Sequence, residues 1–251
     1  KILREARKDS HPSPVPCFLI RHPSVGPILV DTGLHPSISS DPSKNLGRMG
    51  TSFYKPELGP GEDASSQLRD KGIDPASIRL VILTHLHIDH ASAIADFPDS
   101  TLIVTAKEWE AATSGAMPFR EGYRREQFDY AFDYRTVSFD TDDVNSYASF
   151  GRTIDLFGDG SIRLASTSGH TSGHLSLIVR LKDRDMVIGG DAVYLSSQLE
   201  PGSDLPGRIV DEHNFRRSLQ ELRLFHSQYP ESVITPGHDK AFYDSAPAIW
   251  E

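Results

Sequence analysis

The sequence predicts a single layered α+β domain, residues 1–251, with sheets covered by helices. Short branched apolar runs alternate with segments of helical period along the chain, and no repeat or low-complexity tract interrupts them. The hydrophobic fraction is 37% before 19 glycines are added, a globular composition that excludes disordered and fibrous classes. No apolar run approaches the ~20 residues of a membrane span, so an integral membrane protein is not expected. With 26 basic against 35 acidic residues and a formal charge of −9, a nucleic-acid surface is not expected either. One cysteine, Cys17, leaves no intrachain disulfide and no CxxC metal knuckle. Residues 1–10 show no charged-apolar-small leader pattern, and a cytoplasmic chain is expected.

In chain order, 15–21 (VPCFLIR) and 27–30 (PILV) read as a β-hairpin around Pro23-Ser24-Val25-Gly26, ending at Asp31-Thr32-Gly33. Residues 36–61 are rich in Ser, Pro and Gly and predict a long surface loop. A helix over 64–71 stops at Gly72, a residue suited to a C-terminal cap. Strands follow at 78–83 and 102–105, then a helix at 107–112. The aromatic stretch 117–134 reads as an amphipathic helix packed on the body or as a lid lining a pocket, and 117–150 is the candidate lid segment. Strands are expected at 153–157, 161–165, 175–181 and 186–188, joined by Gly158-Asp159-Gly160 and Lys182-Asp183-Arg184. Phe215, Leu219, Leu222 and Phe225 recur at helical spacing within 212–228, and a last strand at 232–235 leads into Pro236-Gly237-His238.

Function is concentrated in the histidines, of which there are 11. In Thr84-His85-Leu86-His87-Ile88-Asp89-His90, the residues His85, His87 and Asp89 share one parity, so an extended backbone puts them on one face. In a flat strand i and i+2 lie about 7 Å apart. Two nitrogens on one zinc must be much closer, since each bond is about 2.0–2.1 Å. The segment must therefore curl after the 78–83 strand, which also swings His90 round to join Asp89 at a second ion. A polar surface loop is the bland alternative. The apolar Leu86 and Ile88, and the apolar strand leading in, argue that the loop is partly buried and that its imidazoles and carboxylate need a compensating charge.

Three weaker signals also lie at strand ends: Ser168-Gly169-His170-Thr171-Ser172-Gly173-His174, Gly237-His238-Asp239, and Asp191 after 186–190 (MVIGG). Alone, each histidine reads as a hydrogen-bonded loop residue and the aspartate as a cap. Together, five histidines and two aspartates make two incomplete metal shells with room for a shared water. No GxSxG elbow, P-loop or dinucleotide fingerprint competes for the chemistry.

This constellation resembles the metallo-beta-lactamase superfamily of two-metal hydrolases, whose HxHxDH loop, later GH, strand-ending D and final GH occur here in order over 85–238. Val30-Asp31-Thr32-Gly33 resembles a further signature of that family. The resemblance implies an αβ/βα sandwich of two mixed sheets face to face with helices outside. It implies two divalent cations, zinc foremost with iron, manganese or cobalt also accommodated. His85, His87 and His170 are implied on one ion, Asp89, His90 and His238 on the other, and Asp191 between them. His174 is implied as a structural neighbour, although the sequence leaves an exchange with His170 open. Two cations, two carboxylates and a bridging hydroxide sum to about +1, which favours an oxygen gaining negative charge, as on a carbonyl under attack.

Within the superfamily the sequence is most similar to the N-acyl homoserine lactonases, through Val15-Pro16-Cys17, the run 168–177 (SGHTSGHLSL) and Asp191-Ala192-Val193-Tyr194. That similarity implies a small lactone or ester substrate. It assigns Tyr194 to the substrate carbonyl and Asp89 to protonating the leaving alkoxide as well as binding metal. A homodimer is compatible with the sequence, which leaves the oligomeric state open. One departure is Ala91-Ser92-Ala93, where those lactonases continue with glycines. A hydroxyacylglutathione-type thioesterase shares the ligand pattern but wants cations near the C-terminal end, where Lys240 stands beside His238. A mononuclear iron oxidoreductase on the same scaffold is the reading from another class.

Overall fold

The computed structural model describes residues 13–53, 55–115, 118–130, 133–203, 205 and 209–251. The chain divides into two compact units, Val15–Val137 and Ser138–Glu251, the latter together with Ser13 and Pro14. Each unit is built on one mixed sheet flanked by helices.

In the first unit, β1 (Phe18–His22) and β2 (Gly26–Val30) form the expected antiparallel hairpin, with Phe18 opposite Val30. The backbone N–H groups of Ser24 and Val25 donate to His22 Nδ1, and Gly26 takes φ +87°, which closes the turn. Three strands then add in parallel beside β2: β3 (Leu80–Ile82), β4 (Thr101–Thr105) and β5 (Tyr134–Val137). Parallel neighbours end at the same sheet edge, so the chain leaving β3 and the helix following β4 start side by side.

Two expectations for this unit are corrected. Residues 36–61 are not a long loop but contain α1 (Ser37–Ser40) and α2 (Pro42–Phe53). Their Ser, Pro and Gly content disguised a small apolar cluster of Leu34, Ile38, Leu46 and Ile88 that anchors them, so tertiary burial overrides local propensity. Gly47 bends α2 at φ +68°, and a Cβ there would lie 2.9 Å from an Arg124 guanidinium nitrogen. The stretch 117–134 is not one amphipathic helix either. It runs through α6 (Pro118–Glu121), a left-handed Gly122 and a single 3-10 turn at Arg125–Gln127 before reaching β5. Tyr123 and Phe128 are 2% and 0% exposed and belong to the core with Leu83, Leu86 and Phe97. Met117, Ala131 and Phe132 of that stretch lie outside the described residues.

The remaining helices of this unit are α3 (Ala64–Asp70), α4 (Ile88–Ala91) and α5 (Ala106–Ser114). Helix α3 stops before Gly72 at φ +74°, as expected from the sequence, and it starts at an unpredicted Asp63 cap. The half-buried Asp96 beyond α4 sits 3.5 Å from His35 Nε2. Burial raises its carboxyl above the ordinary range and Asp63's charge adds to that, while His35, the Ser65 hydrogen bond and Arg69 pull the other way. A carboxyl raised in the folded state favours folding while it is protonated and loses that contribution as pH rises through its folded value. Asp96→Asn should therefore unfold a few degrees higher than wild type at pH 8, with the gap closing as pH falls through the raised folded value and gone below about 3.9. Thermal melts across that range measure it, and a wild type that is the more stable at pH 8 contradicts it.

The second unit holds β6 (Asn145–Tyr147), β7 (Phe150–Asp155), β8 (Ile162–Ser166), β9 (Leu175–Arg180), β10 (Asp185–Ile188) and β11 (Val233–Thr235). They lie in the order β11-β10-β9-β8-β7-β6, antiparallel throughout except for the parallel β10–β11 pair. Helix α7 (Glu212–Gln228) buries the predicted stripe of Phe215, Leu219, Leu222 and Phe225 against Phe150, Ile178 and Val187. Each such side chain contributes roughly 1.5–3 kcal/mol by burial. Asp211 caps this helix by accepting from the Asn214 N–H. The unpredicted β6 is short and mostly exposed, and the unpredicted α8 (Lys240–Ser245) is six residues capped by Asp239.

Candidate metal centre

In the first unit the chain leaves β3 and turns at once. Asp31, which follows β2, accepts from the Thr84 N–H (2.8 Å) and the Thr84 hydroxyl (2.8 Å), and from His90 Nδ1 (2.7 Å). Because the carboxylate accepts at Nδ1, His90 carries its proton there and keeps the lone pair on Nε2. Asp31 takes φ +57°, a conformation a short polar residue adopts more readily than a branched one. His87 stands at the N-terminal cap of α4, and that one helical turn brings His90 back beside the segment. The His85 ring centroid lies 4.6 Å from that of His87 and 4.1 Å from that of His90, with all three rings buried. Asp89 is more exposed, its Oδ2 3.8 Å from His90 Nε2. Opposite, a Cβ on Gly122 would come within 3.0 Å of His87 Nε2, so only glycine leaves that nitrogen room. The curl required by the ligand spacing is thus present within this unit.

In the second unit the parallel β10–β11 pair sets Ile188 beside Thr235, so the turns carrying Asp191 and His238 emerge together. Asp191 is 3% exposed. Its Oδ2 lies 3.2 Å from His170 Nε2, and its Oδ1 lies 3.2 Å from His238 Nε2. A Cβ on Gly237 would stand 2.5 Å from that Oδ1, so the close approach depends on glycine. His238 Nδ1 donates to the Pro14 carbonyl (2.9 Å), which directs Nε2 toward Asp191. His170 rides on a turn held by α7: Gly169, at φ +135°, accepts from the Val210 and Asp211 N–H groups. A Cβ on Gly169 would collide with the Phe215 backbone at 2.2 Å. Tyr194 Oη lies 2.9 Å from His170 Nδ1.

His170 and His174 differ in their hydrogen bonds. His174 Nε2 accepts from the Asp191 N–H (3.0 Å) and its Nδ1 bonds to the Thr167 hydroxyl (2.9 Å), so one ring nitrogen braces the Asp191 turn and the other is held within the 167–174 loop.

A family model, the metallo-beta-lactamase superfamily, matches residues 11–238. The chain belongs to the metallo-beta-lactamase superfamily. Its two mixed sheets with helices are that fold, and it is a metal-dependent hydrolase of that group. Among its relatives, N-acyl homoserine lactonase AttM of Rhizobium radiobacter is 33% identical over 228 residues, covering 90% of this chain and 82% of that protein. A probable metallo-hydrolase of Mycobacterium tuberculosis is 29% identical over 88% of this chain and 73% of its own. A solved N-acyl homoserine lactone hydrolase, with the product N-hexanoyl-L-homoserine bound at its catalytic metal centre, superposes with a TM-score of 0.75. It covers 95% of this chain and 86% of its own at 24% identity.

The donor set of this superfamily member fits divalent cations. It is imidazole and carboxylate without thiolate. Ligand atoms of His85 and His87, of His85 and His90, and of Asp89 and His90 lie within 4.8 Å of one another. Bonds of about 2.0–2.2 Å to a common ion require nearly that spacing. Cys17 takes no part: its thiol is half-buried against Gly33, and burial with Asp31's charge pushes it far above the ordinary cysteine range. Lys240, the cation a glutathione carboxylate would need, is paired with Asp244 at 2.6 Å. Asp31, Glu108, Gly122 and Gly237 carry roles that the sequence did not reveal, since each acts on a residue distant in the chain or, for glycine, by having no side chain. No helix among the described residues is long and apolar enough to cross a membrane.

Proposed function

We propose that this chain is a dinuclear-metal hydrolase that opens the lactone ring of N-acyl homoserine lactones. In this reading His85, His87 and His170 hold one divalent cation, Asp89, His90 and His238 hold the other, and Asp191 lies between. Zinc suits the nitrogen and oxygen donors best, and iron, manganese and cobalt accept the same set. The observation that carries the reading is the Asp191 carboxylate, whose Oδ2 lies 3.2 Å from His170 Nε2 and 3.3 Å from His238 Nε2 while its Oδ1 lies 3.2 Å from His238 Nε2, two histidines assigned to different ions. The names of the lactonase relatives support the substrate class. When bound, the two cations lower the pKa of a water toward ~7 and polarise the carbonyl.

The residues of the chain do the rest. Asp31 holds His90, and the Pro14 carbonyl holds His238, each through Nδ1, so both rings present Nε2 inward. Tyr194, tethered by its hydroxyl to His170 Nδ1, is placed to donate its O–H to the lactone carbonyl oxygen as that oxygen gains charge. As water adds to the carbonyl carbon Asp89 takes up its proton, the ring C–O bond breaks, and Asp89 passes that proton to the departing ring oxygen. The product is an N-acyl homoserine, whose new carboxyl ionises and releases one proton per turnover at neutral pH.

That proton makes the test direct. A pH-stat assay compares an N-acyl homoserine lactone, a glutathione thioester and an aryl ester, before and after chelation. Acid release from the lactone at a rate well above the other two, abolished by chelator, is the expected result. Preference for the thioester, or lactone opening indifferent to chelator, contradicts the assignment.

A further inference from the structure

We infer that Glu108 is the positioning residue that holds the 85–87 turn in its ligating shape, an inference that rests on the metal reading above. Glu108 lies in the first turn of α5, directly after β4, and β4 is the parallel neighbour of β3. Leaving the sheet edge, the 83–86 segment runs beyond the β3–β4 ladder, and His87 next forms an isolated antiparallel bridge with Tyr123. The Leu83 N–H still reaches the Ile103 carbonyl, and the Thr84 N–H reaches Asp31. The next orphan in that bend is the Leu86 N–H, on the residue between His85 and His87. It donates to Glu108 Oε1 at 2.9 Å.

Glu108 is 0% exposed, unusual for a glutamate, and nothing in the lactone chemistry above uses it. Its backbone N–H donates to the Thr105 side chain that caps α5, which fixes the start of the helix from which Glu108 reaches out. The Leu86 side chain is likewise 0% exposed, in the core cluster that also contains Ala112 of the same helix. Leu86 is thus gripped by its side chain in the core and by its N–H at Glu108. The peptide can rotate about neither, and the His85 and His87 rings on either side keep their 4.6 Å separation. Partners one step behind metal ligands commonly change metal affinity by about 10- to 100-fold when removed.

Glu108→Gln keeps a carbonyl that accepts the Leu86 N–H, while Glu108→Met fills the same space without an acceptor. Zinc affinity of both variants is measured by chelator competition, and the cobalt-substituted proteins are compared by visible absorption. Hydrogen exchange of the Leu86 amide is followed in the metal-free proteins. The Met variant is expected to bind zinc about 10- to 100-fold more weakly with an altered cobalt spectrum and a fast-exchanging Leu86 amide, and the Gln variant to stay near wild type in all three. Unchanged affinity in the Met variant, or an equal loss in both variants, overturns the inference. So does a Leu86 amide that exchanges freely in the metal-free wild type, a result that needs no variant to fold. A wild type that binds no cation overturns the metal reading itself, while the Leu86 exchange still reports on the Glu108 clamp.

Discussion

Asp191→Ala is expected to lower lactone turnover by roughly a thousandfold and to leave the protein with less than its full metal complement. Within its unit Asp191 is the carboxylate that both His170 and His238 approach at 3.2 Å, and it is 3% exposed. Alanine there removes the one anion shared by the two histidines, and several kcal/mol of charge stabilisation with it. About 4 kcal/mol corresponds to the thousandfold. The fold should survive, because the contact that braces this turn, from the Asp191 backbone N–H to His174, does not involve the carboxylate. Metal content by elemental analysis, read beside kcat/KM, checks the pair of outcomes. Turnover within tenfold of wild type with full metal content would contradict it.

Asp31→Ala is expected to cost stability rather than merely activity. Its carboxylate is the acceptor for the Thr84 N–H, the Thr84 hydroxyl and His90 Nδ1, all buried. Stranding buried donors costs about 1–3 kcal/mol each, and a broken buried network about 3–5 kcal/mol in total. At roughly 2–4 °C per kcal/mol for a chain of this size, the melting temperature should fall by about 10 °C. Alanine also meets the left-handed φ of +57° that aspartate and asparagine tolerate better. Asp31→Asn, which retains an acceptor and that tolerance, should fall between alanine and wild type. Equal melting of all three proteins would show that the network does not hold the turn.

Much of this was legible in the sequence because its signals are local. The α7 stripe repeats every three or four residues. The hairpin announces itself by branched runs around a Pro-Ser-Val-Gly turn, and the 85–90 motif packs four donors into six positions. Where meaning depends on a distant residue, the sequence was mute. Asp31 reads as the end of a hairpin, because Thr84 and His90 lie 53 and 59 residues away. Gly237 reads as a turn glycine until Asp191 stands 2.5 Å from its missing Cβ. His170 and His174 occupy near-identical settings in SGHTSGH, and only the folded chain shows that His174 bonds to the Asp191 N–H and Thr167 while His170 faces the Asp191 carboxylate. Helices α1 and α2 were hidden because two apolar anchors, Ile38 and Leu46, outweigh the thirteen serines, prolines and glycines of 36–61 only once Leu34 and Ile88 are packed against them.

The proposed function requires His85, His87, Asp89, His90, His170, Asp191 and His238 to serve a pair of cations. Elemental analysis of the purified protein, after removal of loosely bound metal, tests it most directly. Two divalent ions per chain are predicted, falling toward one or none when His85 or His238 is replaced by alanine. A single ion per chain that survives both substitutions, or no ion at all, would contradict it.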